Sequence, residues 1–306
     1  MTNYPMSRLD VRCVLDCHDK IGEGGVWCAD EQCLYWLDVP MPSLLHRLDP
    51  ASGRHQTWPM PEMITAIAKR RDGTLLIASE NGLNFFDSND GKLHLKASPE
   101  ANLPLNRSND CAPDAAGRFW FGTMMNNLGP NGTELPITGA SGAVWCVNAD
   151  LSFRKVLDGI TITNGIVWSP DSSIMYVADS AAQVIHAYDF DLTGGKVSNR
   201  RVFSAITDLG YPDGAAIDAE GGLWSARWEG DCVARFRPDG TLDFIVPIPA
   251  SQVTSLAFGG KDFRTVYVTT ARQGMKPEAA ARYPQAGGLF AFESPLPGLP
   301  RPRFAG

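Results

Sequence analysis

Four polar side chains stand at the same point of four repeated segments of this sequence. They are Glu23, Asn109, Asn164 and Asp213, and each lies roughly eight residues ahead of a turn that leads into a hydrophobic strand. If the repeats surround a common axis, equivalent positions converge on that axis. Two carboxylates and two carboxamides would then meet at one point. Oxygen ligands of this kind suit Ca²⁺, Mg²⁺ or Mn²⁺.

Taken singly, some of these residues have a simpler interpretation. Asn164-Gly165 and Asp213-Gly214 are dipeptides that commonly form turns. Glu23 resists that interpretation, because glutamate is a poor turn former and has no obvious partner nearby in the sequence. The shared register of all four residues, each ahead of a hydrophobic run, favours one common polar or metal site.

The elements that must position these residues are short strands. Strand-like runs alternate with Gly, Pro, Asp and Asn at intervals of about ten residues, a pattern typical of an all-β protein. Aligning the runs gives six repeats, which open at Glu23, Thr65, Asn109, Asn164, Asp213 and Thr254, spaced by 42, 44, 55, 49 and 41 positions. The period and the strand content predict a six-bladed β-propeller with four-stranded blades around a central channel.

The same pattern predicts one domain over residues 1–306. Residues 7–16 form an additional strand, which we expect to pair with the last blade and close the ring. Residues 126–141 form a loop inserted in the third repeat, and loops of this length often serve as binding lids. Only residues 275–284 resemble a short helical turn.

Composition limits the classes of partner. The chain of 306 residues has 44% hydrophobic and 20% charged residues, as ordinary globular proteins do, and its net charge of −7 argues against nucleic acid and anionic membranes. No apolar run approaches the length of about 18 residues that a membrane helix needs. The start of the sequence lacks the apolar region of a secretory signal, so we predict a cytoplasmic protein. A ring that closes its own sheet edges predicts a monomer.

Cysteine and histidine contribute little to the predicted site. The cysteines are odd in number and scattered, which predicts reduced structural thiols: Cys13, Cys17, Cys28, Cys33, Cys111, Cys146 and Cys232. The five histidines fall in outer strands or turns, where we expect surface or structural roles: His18, His46, His55, His94 and His186. A histidine-rich zinc site is therefore not expected, although zinc or iron could still occupy oxygen ligands.

Several longer motifs resemble one known family. They are IGEG-x-VW at 21–27, R-x-ND at 107–110, D-x-x-GRFWFGTM at 114–124, TITNG-x-x-WSPD at 161–171, YPDG-x-x-ID at 211–218 and TTAR at 269–272. Together they resemble the senescence marker protein 30/gluconolactonase/regucalcin family of six-bladed propellers over nearly the whole chain. The segment at 284–288 is most similar to the bacterial sugar-lactonase branch.

The resemblance implies a reaction and a role for each residue. Glu23, Asn164 and Asp213 would bind one divalent metal ion (Ca²⁺, Zn²⁺, Mn²⁺, Mg²⁺ or Fe²⁺). Asn109 would contact the substrate or a water ligand of the metal, and Arg107 would hold sugar hydroxyls. The implied reaction is hydrolysis of a sugar lactone to an aldonic acid, with the metal as Lewis acid and Asp213 as general base.

The sequence departs from the family pattern in two places. Cys111-Ala112 replace a common Gly-Lys pair, and Asn127 stands where a glutamate often lies near the sugar. We expect both changes to lie where side chains bind the hydroxyl groups of the substrate. Asn127 is therefore a candidate substrate-binding residue, and the sugar preference of the family cannot be assigned to this chain. Cys111 is either a reactive thiol or a packed one, and packing is the favoured interpretation.

Two other functions remain open. A calcium-binding regulatory protein of the regucalcin type would use the same ligands. Arg107 and Asn109, which an ion buffer does not need, favour an enzyme. A propeller that only scaffolds protein partners would have no reason to carry four polar residues at one register.

Overall fold

The computed structural model describes residues 4–306, so the first three residues of the predicted domain lie outside it. The regular structure is almost entirely β-strand, which confirms the all-β class. The exceptions in the described chain are helix α1 (Pro277–Arg282) and a 3₁₀ turn (Pro130–Gly132). Helix α1 lies within 275–284, where the sequence predicts a helical turn. No helix between residues 4 and 306 has both the length and the apolar character needed to span a membrane.

Sixteen of the strands form four antiparallel four-stranded sheets. The first contains β2 (Gly22–Cys28), β3 (Cys33–Asp38), β4 (Leu44–Asp49) and β5 (Arg54–Pro59). The second contains β6 (Ile64–Lys69), β7 (Leu75–Ser79), β8 (Gly82–Asp87) and β9 (Lys92–Ala97). The third contains β10 (Asn106–Pro113), β11 (Phe119–Met125), β12 (Gly142–Val147) and β13 (Phe153–Ile160). The fourth contains β14 (Thr163–Trp168), β15 (Ile174–Asp179), β16 (Val184–Asp191) and β17 (Lys196–Ser204).

The remaining eight strands form one sheet. They are β1 (Arg12–Leu15), β18 (Tyr211–Ile217), β19 (Leu223–Trp228), β20 (Cys232–Phe236), β21 (Leu242–Pro247), β22 (Gln252–Gly259), β23 (Thr265–Ala271) and β24 (Leu289–Glu293). Strand β1 pairs antiparallel with β24.

The prediction of six four-stranded blades is wrong. The structure has four separate four-stranded blades, and the other eight strands form a continuous sheet. Trp228 of β19 pairs with Gln252 of β22, which joins strands that the sequence assigned to two repeats. This pairing depends on how closely the end of one strand approaches the start of another, which no local sequence pattern encodes.

Inner strands surround a central channel. Strands β2, β6, β10 and β14 of the four blades, together with β18 and β22 of the eight-stranded sheet, pack side by side in a closed ring. All of them run in the same direction along the channel, so their first residues lie at one end and their last residues at the other. Side chains at equivalent early positions of different strands are therefore brought close together.

A recurrent turn stabilises the connection from an inner strand to its neighbour. Asp114 accepts hydrogen bonds from the backbone N–H groups of Ala116 and Arg118 and from Trp120 Nε1, the last over 2.8 Å. Asp218 binds Trp224 Nε1 in the same way, also over 2.8 Å. An aspartate followed six residues later by tryptophan thus specifies a tight turn and fixes a large core side chain, because the buried indole N–H needs an acceptor.

Cysteine and histidine side chains lie where the sequence predicts. All seven cysteines are free, which confirms the prediction of reduced thiols. Cys111 is buried and its Sγ donates to the Ile67 carbonyl over 3.3 Å, so it is a packed thiol. His46 is buried in β4, where its ring stacks on Trp36 with 4.7 Å between the centroids. This contact is structural.

Candidate functional site

A cavity of about 450 Å³ lies at the end of the channel where the inner strands begin. All six residues that the sequence analysis selected contribute to its wall: Glu23, Arg107, Asn109, Asn127, Asn164 and Asp213. The wall also contains apolar and aromatic residues: Ile21, Val39, Met124, Ile162, Tyr211 and Trp228. The structure thus brings residues separated by up to 190 positions around one space.

A backbone irregularity places each polar residue. In β2 the pairing with β3 shifts between Glu23 and Val26. Equivalent register shifts interrupt β10, β14 and β18 at Asn109, Asn164 and Asp213. Such β-bulges redirect a side chain and are common beside functional sites. The Asn164-Gly165 pair is therefore part of a bulge within β14 and not a turn between strands. Gly165 has a φ of 57°, a conformation that favours glycine.

A continuous chain of hydrogen bonds links three strands at the cavity. Arg107 Nη1 donates to Asn109 Oδ1 over 2.7 Å, and Asn109 Nδ2 donates to Asn164 Oδ1 over 2.8 Å. Asn164 Nδ2 donates to Ser180 Oγ over 2.8 Å, and this hydroxyl donates to the Pro212 carbonyl over 2.6 Å. Because arginine can only donate, the chain has one direction and fixes the orientation of both carboxamides. The oxygen of Asn164 accepts one hydrogen bond and keeps a second lone pair.

Arg107 also holds Asn127. Its Nη2 donates to Asn127 Oδ1 over 2.8 Å, so the amide nitrogen of Asn127 has no hydrogen-bond partner among residues 4–306. Burial lowers the pKa of Arg107 to about 10, although the carboxylates of Glu23 and Asp213 oppose this shift. The guanidinium therefore remains charged at neutral pH. Its Nε is buried without a partner, which leaves one donor unused.

The two carboxylates of the site are short of compensating charge. Burial raises the pKa of Glu23 to about 8, with a further contribution from the nearby charge of Asp110. Burial also raises the pKa of Asp213 well above its ordinary value, and repulsion from Glu23 and Asp110 adds to the shift. Within the described chain, neither carboxylate forms an ion pair with a lysine or arginine. Buried carboxylates without a paired cation are destabilising unless a proton or a metal ion neutralises them.

The donor set fits a divalent cation. Glu23, Asp213 and the free lone pair of Asn164 provide oxygen atoms only, which hard cations prefer. Between residues 4 and 306 no group of three or more His, Cys, Asp or Glu side chains is suited to hold a metal. A metal at this cavity would therefore need the carboxamide of Asn164 in addition to the two carboxylates.

Sequence reasoning gave no role to Asp110. Its Oδ1 accepts from the Cys111 amide over 2.7 Å and its Oδ2 from the Ile166 amide over 3.0 Å, so it bridges β10 and β14. Burial raises its pKa. The pair Asn109-Asp110 at the bulge was the available signal. Ser180, which follows β15, and Trp228, the last residue of β19, were also missed, because no motif marks either position.

Cys111 and Ala112 do not lie where the sequence analysis expects them. Both are buried, and neither contributes to the wall of this cavity. The bulge at Ser108–Cys111 shifts the alternation of β10, so these two side chains pack into the protein instead of facing the substrate space. Of the two departures from the family pattern, only Asn127 lies at the cavity.

The loop between β11 and β12 begins at the cavity, where Asn127 contributes to the wall. Its Leu128 is buried in the hydrophobic cluster that contains Val39 and Ile64. Farther along the loop, the carbonyl of Gly132 accepts a hydrogen bond from Nε2 of Gln273, which follows β23. The loop therefore extends from the third blade to the residues that follow β23 of the eight-stranded sheet.

Comparison with known proteins identifies relatives over almost the whole chain. Residues 21–272 match the family model described as the SMP-30/gluconolactonase/LRE-like region. L-arabinolactonase of Azospirillum brasilense is 37% identical over 95% of this chain and 94% of its own length. 6-Deoxy-6-sulfogluconolactonase of Pseudomonas putida is 33% identical over 97% of this chain and 99% of its own length. Regucalcin from Agrobacterium tumefaciens is described as a calcium-binding protein, and its crystal structure matches this one with a TM-score of 0.90. The two sequences are 30% identical, and the match covers 97% of this chain and 98% of the other.

Proposed function

The chain belongs to the SMP-30/gluconolactonase/LRE-like family, and we propose that it is a lactonase that hydrolyses a sugar lactone with the help of one divalent cation. Two of the relatives described above are named lactonases of sugar acids, which supports this class of substrate. The observation that carries the proposal is the position of Glu23 and Asp213. Asp213 is buried and Glu23 is half-buried, neither carboxylate has an ion-pair partner in the described chain, and both face a cavity that also contains Arg107.

Glu23, Asn164 and Asp213 would hold the cation. When bound, a divalent cation polarises a carbonyl and stabilises negative charge that develops on its oxygen. Oxygen-only ligands favour Ca²⁺, Mg²⁺ or Mn²⁺ over Zn²⁺ or Fe²⁺. The calcium-binding relative makes Ca²⁺ the first ion to test.

Arg107, Asn109 and Asn127 would bind and orient the sugar. The free amide hydrogens of Asn127 can donate to ring hydroxyls. The apolar wall, including Trp228 and Ile162, suits the C–H face of a sugar ring. The hydrogen-bond chain from Arg107 to Pro212 holds these groups in place before the substrate arrives.

Asp213 would accept a proton from the attacking water. The oxygen of the water then bonds to the lactone carbonyl carbon, the ring C–O bond breaks, and the ring oxygen takes up a proton as the new hydroxyl. The product is the open-chain aldonic acid.

A second candidate function is calcium binding without dedicated catalysis. The regucalcin relative favours it, and the same three ligands would serve. An ion-binding protein has no need of the Arg107–Asn127 pair beside the cation, so this function ranks second.

The test is acid release from glucono-, galactono-, xylono-, arabinono- and rhamnonolactones. EDTA-treated protein is assayed alone and after separate addition of Ca²⁺, Mg²⁺, Mn²⁺, Zn²⁺ and Fe²⁺. We expect hydrolysis of at least one lactone that requires an added cation and is lost in Asp213→Asn. Asp10→Asn is the matched control, because Asp10 is exposed and distant from the cavity. Binding of Ca²⁺ without hydrolysis of any lactone would favour the regulatory function.

A further inference from the structure

Two cysteines face each other across the first hairpin of the first blade. Cys28 is the last residue of β2 and Cys33 is the first residue of β3, and the antiparallel register pairs them directly. Residues in such a pair have side chains on the same face and Cα atoms about 4.5–5.5 Å apart, within the range that a disulfide bond requires. No change of register is therefore needed to join the two sulfur atoms.

Both thiols contact the same carboxylate. Cys28 Sγ donates to Glu31 Oε1 over 3.4 Å, and Cys33 Sγ donates to Glu31 Oε2 over 3.6 Å. Because the two oxygen atoms belong to one side chain, these contacts hold both sulfur atoms on the same side of the hairpin. Lys69 Nζ donates to Glu31 Oε1 over 2.7 Å and brings a positive charge to the same group.

The two thiols differ in their readiness to ionise. Their mutual hydrogen bond is the largest of the effects that lower the pKa of Cys28 to about 7, and the positive charge of Lys69 contributes to the shift. The same hydrogen bond and burial raise the pKa of Cys33. At neutral pH, Cys28 therefore carries much more thiolate than Cys33, and the thiolate is the nucleophilic form of cysteine.

Cys28 also contributes to the wall of a cavity of about 300 Å³ beside the hairpin. The exposed residue Asp30 lines the same cavity, so the space reaches the protein surface. Lys69 and Arg301 add positive charge to the wall, which favours an anionic sulfur. Cys28 and Cys33 are both almost fully buried, so this cavity is the route by which a small molecule approaches Cys28.

We propose that Cys28 and Cys33 form a redox modification site, at which a hydroperoxide converts the two thiols into a disulfide. With hydrogen peroxide, the Cys28 thiolate attacks one oxygen atom, the O–O bond breaks, and Cys28 becomes a sulfenic acid. The hydroxide that leaves takes up the proton that Cys28 has lost. The sulfur of Cys33 then bonds to the sulfur of Cys28, the S–OH bond breaks, and the hydroxyl leaves with the Cys33 proton as a second water. The two sulfur atoms lose two electrons, which the peroxide gains.

The disulfide closes the turn at 29–32 covalently. It removes both thiol hydrogen bonds to Glu31, but this carboxylate keeps its ion pairs with Arg47 and Lys69 over 3.3 and 2.7 Å. Oxidation therefore leaves no unpaired charge behind. The site does not depend on the proposed lactone hydrolysis.

Mass spectrometry after peroxide treatment tests the site in the full-length protein. The native protein is treated at about pH 7.5, catalase removes the excess peroxide, and the remaining thiols are alkylated in denaturant. Trypsin cleaves after Lys20 and Arg47, so one peptide carries both cysteines. The disulfide appears as this peptide without either alkyl group and without two hydrogen atoms.

Cys146 is the internal control. It is a buried strand residue like the other two, but it lies opposite Trp120 and Arg154 instead of a second cysteine. We expect Cys28 and Cys33 to lose reactivity towards the alkylating agent at least about tenfold faster than Cys146. Dithiothreitol should restore it.

Serine variants separate the two steps. Cys33→Ser should stop the reaction at a sulfenic acid on Cys28, which dimedone traps. Cys28→Ser should leave Cys33 reduced, and Cys146→Ser should form the disulfide as the wild type does.

Equal rates of thiol loss at Cys28 and Cys146 would overturn the inference. A disulfide between Cys28 and any cysteine other than Cys33 would also overturn it. Both results come from the wild type, so the test does not depend on whether a serine variant folds.

Discussion

The Asn109 carboxamide donates to the Oδ1 atom of Asn164 over 2.8 Å and joins strands β10 and β14 at the candidate site. The acceptor is the oxygen that we propose as a cation ligand. Asn109 is itself oriented by Arg107. A residue proposed to face the substrate therefore also determines the orientation of a ligand.

The variant Asn109→Asp tests this relationship. Aspartate has the same shape but no hydrogen to donate to Asn164, and it adds negative charge beside Glu23 and Asp213. We expect kcat/KM for the best lactone to fall at least about tenfold, the cost of one lost buried hydrogen bond. Asn89→Asp, in an exposed hairpin turn, should leave kcat/KM unchanged. Wild-type kinetics in Asn109→Asp would contradict the assigned role.

Arg107→Lys tests whether the forked guanidinium is required. Lysine keeps the charge but cannot bridge Asn109 and Asn127 with two separate nitrogens. We expect kcat/KM to fall by about 10–100-fold, mainly through a higher KM, because binding groups are lost while the carboxylates remain. Steady-state kinetics on the preferred lactone measure both constants. An unchanged KM would remove Arg107 from substrate binding.

The sequence predicted which residues converge on the cavity better than it predicted their surroundings. The common register of Glu23, Asn164 and Asp213 was visible because each repeat contributes the same position to the channel. Cys111 and Ala112 were expected to face the cavity, but their side chains pack into the protein. The bulge in β10 interrupts the regular alternation of side chains between the two faces of the strand. Bulges and their register shifts depend on pairing with the next strand, and one sequence does not specify that pairing.

Long-range strand pairing was also beyond the reach of the sequence. The bridge between Trp228 and Gln252 depends on the path of residues 229–251. In contrast, the residues at 50–53, 89–91 and 238–240 connect paired strands, and local sequence indicates such turns because Asn, Asp and Gly favour them.

Stability should depend on the buried acceptor Asp218. Its carboxylate binds Trp224 Nε1 and Arg235 Nε, each over 2.8 Å, and it is fully buried. Asp218→Ala removes the oxygen that accepts both bonds and should lower the free energy of unfolding by about 3–5 kcal/mol. Chemical denaturation measures the change. Asp239→Ala, in an exposed turn, should have a much smaller effect, and equal effects would contradict this account.

Acid should weaken the fold partly through Glu31. Burial alone would raise the pKa of Glu31, but hydrogen bonds from Lys69 and Tyr35 lower it to about 2, from an ordinary value of 4.5. A lowered pKa in the folded state means that this stabilisation is complete above pH 4.5 and is lost as the pH falls towards 2. The wild type should therefore exceed Glu31→Gln in unfolding midpoint at pH 7, and the difference should shrink at about pH 3. A difference independent of pH would contradict the assignment.

The central claim is that Glu23 and Asp213 hold a cation on which lactone hydrolysis depends. The most direct measurement is the hydrolysis rate of EDTA-treated protein as Ca²⁺ is added, compared with the calorimetric binding isotherm on the same sample. We predict that activity and binding rise together with one midpoint, and that both are absent in Glu23→Gln. Full hydrolysis by the wild type in excess EDTA would contradict the claim.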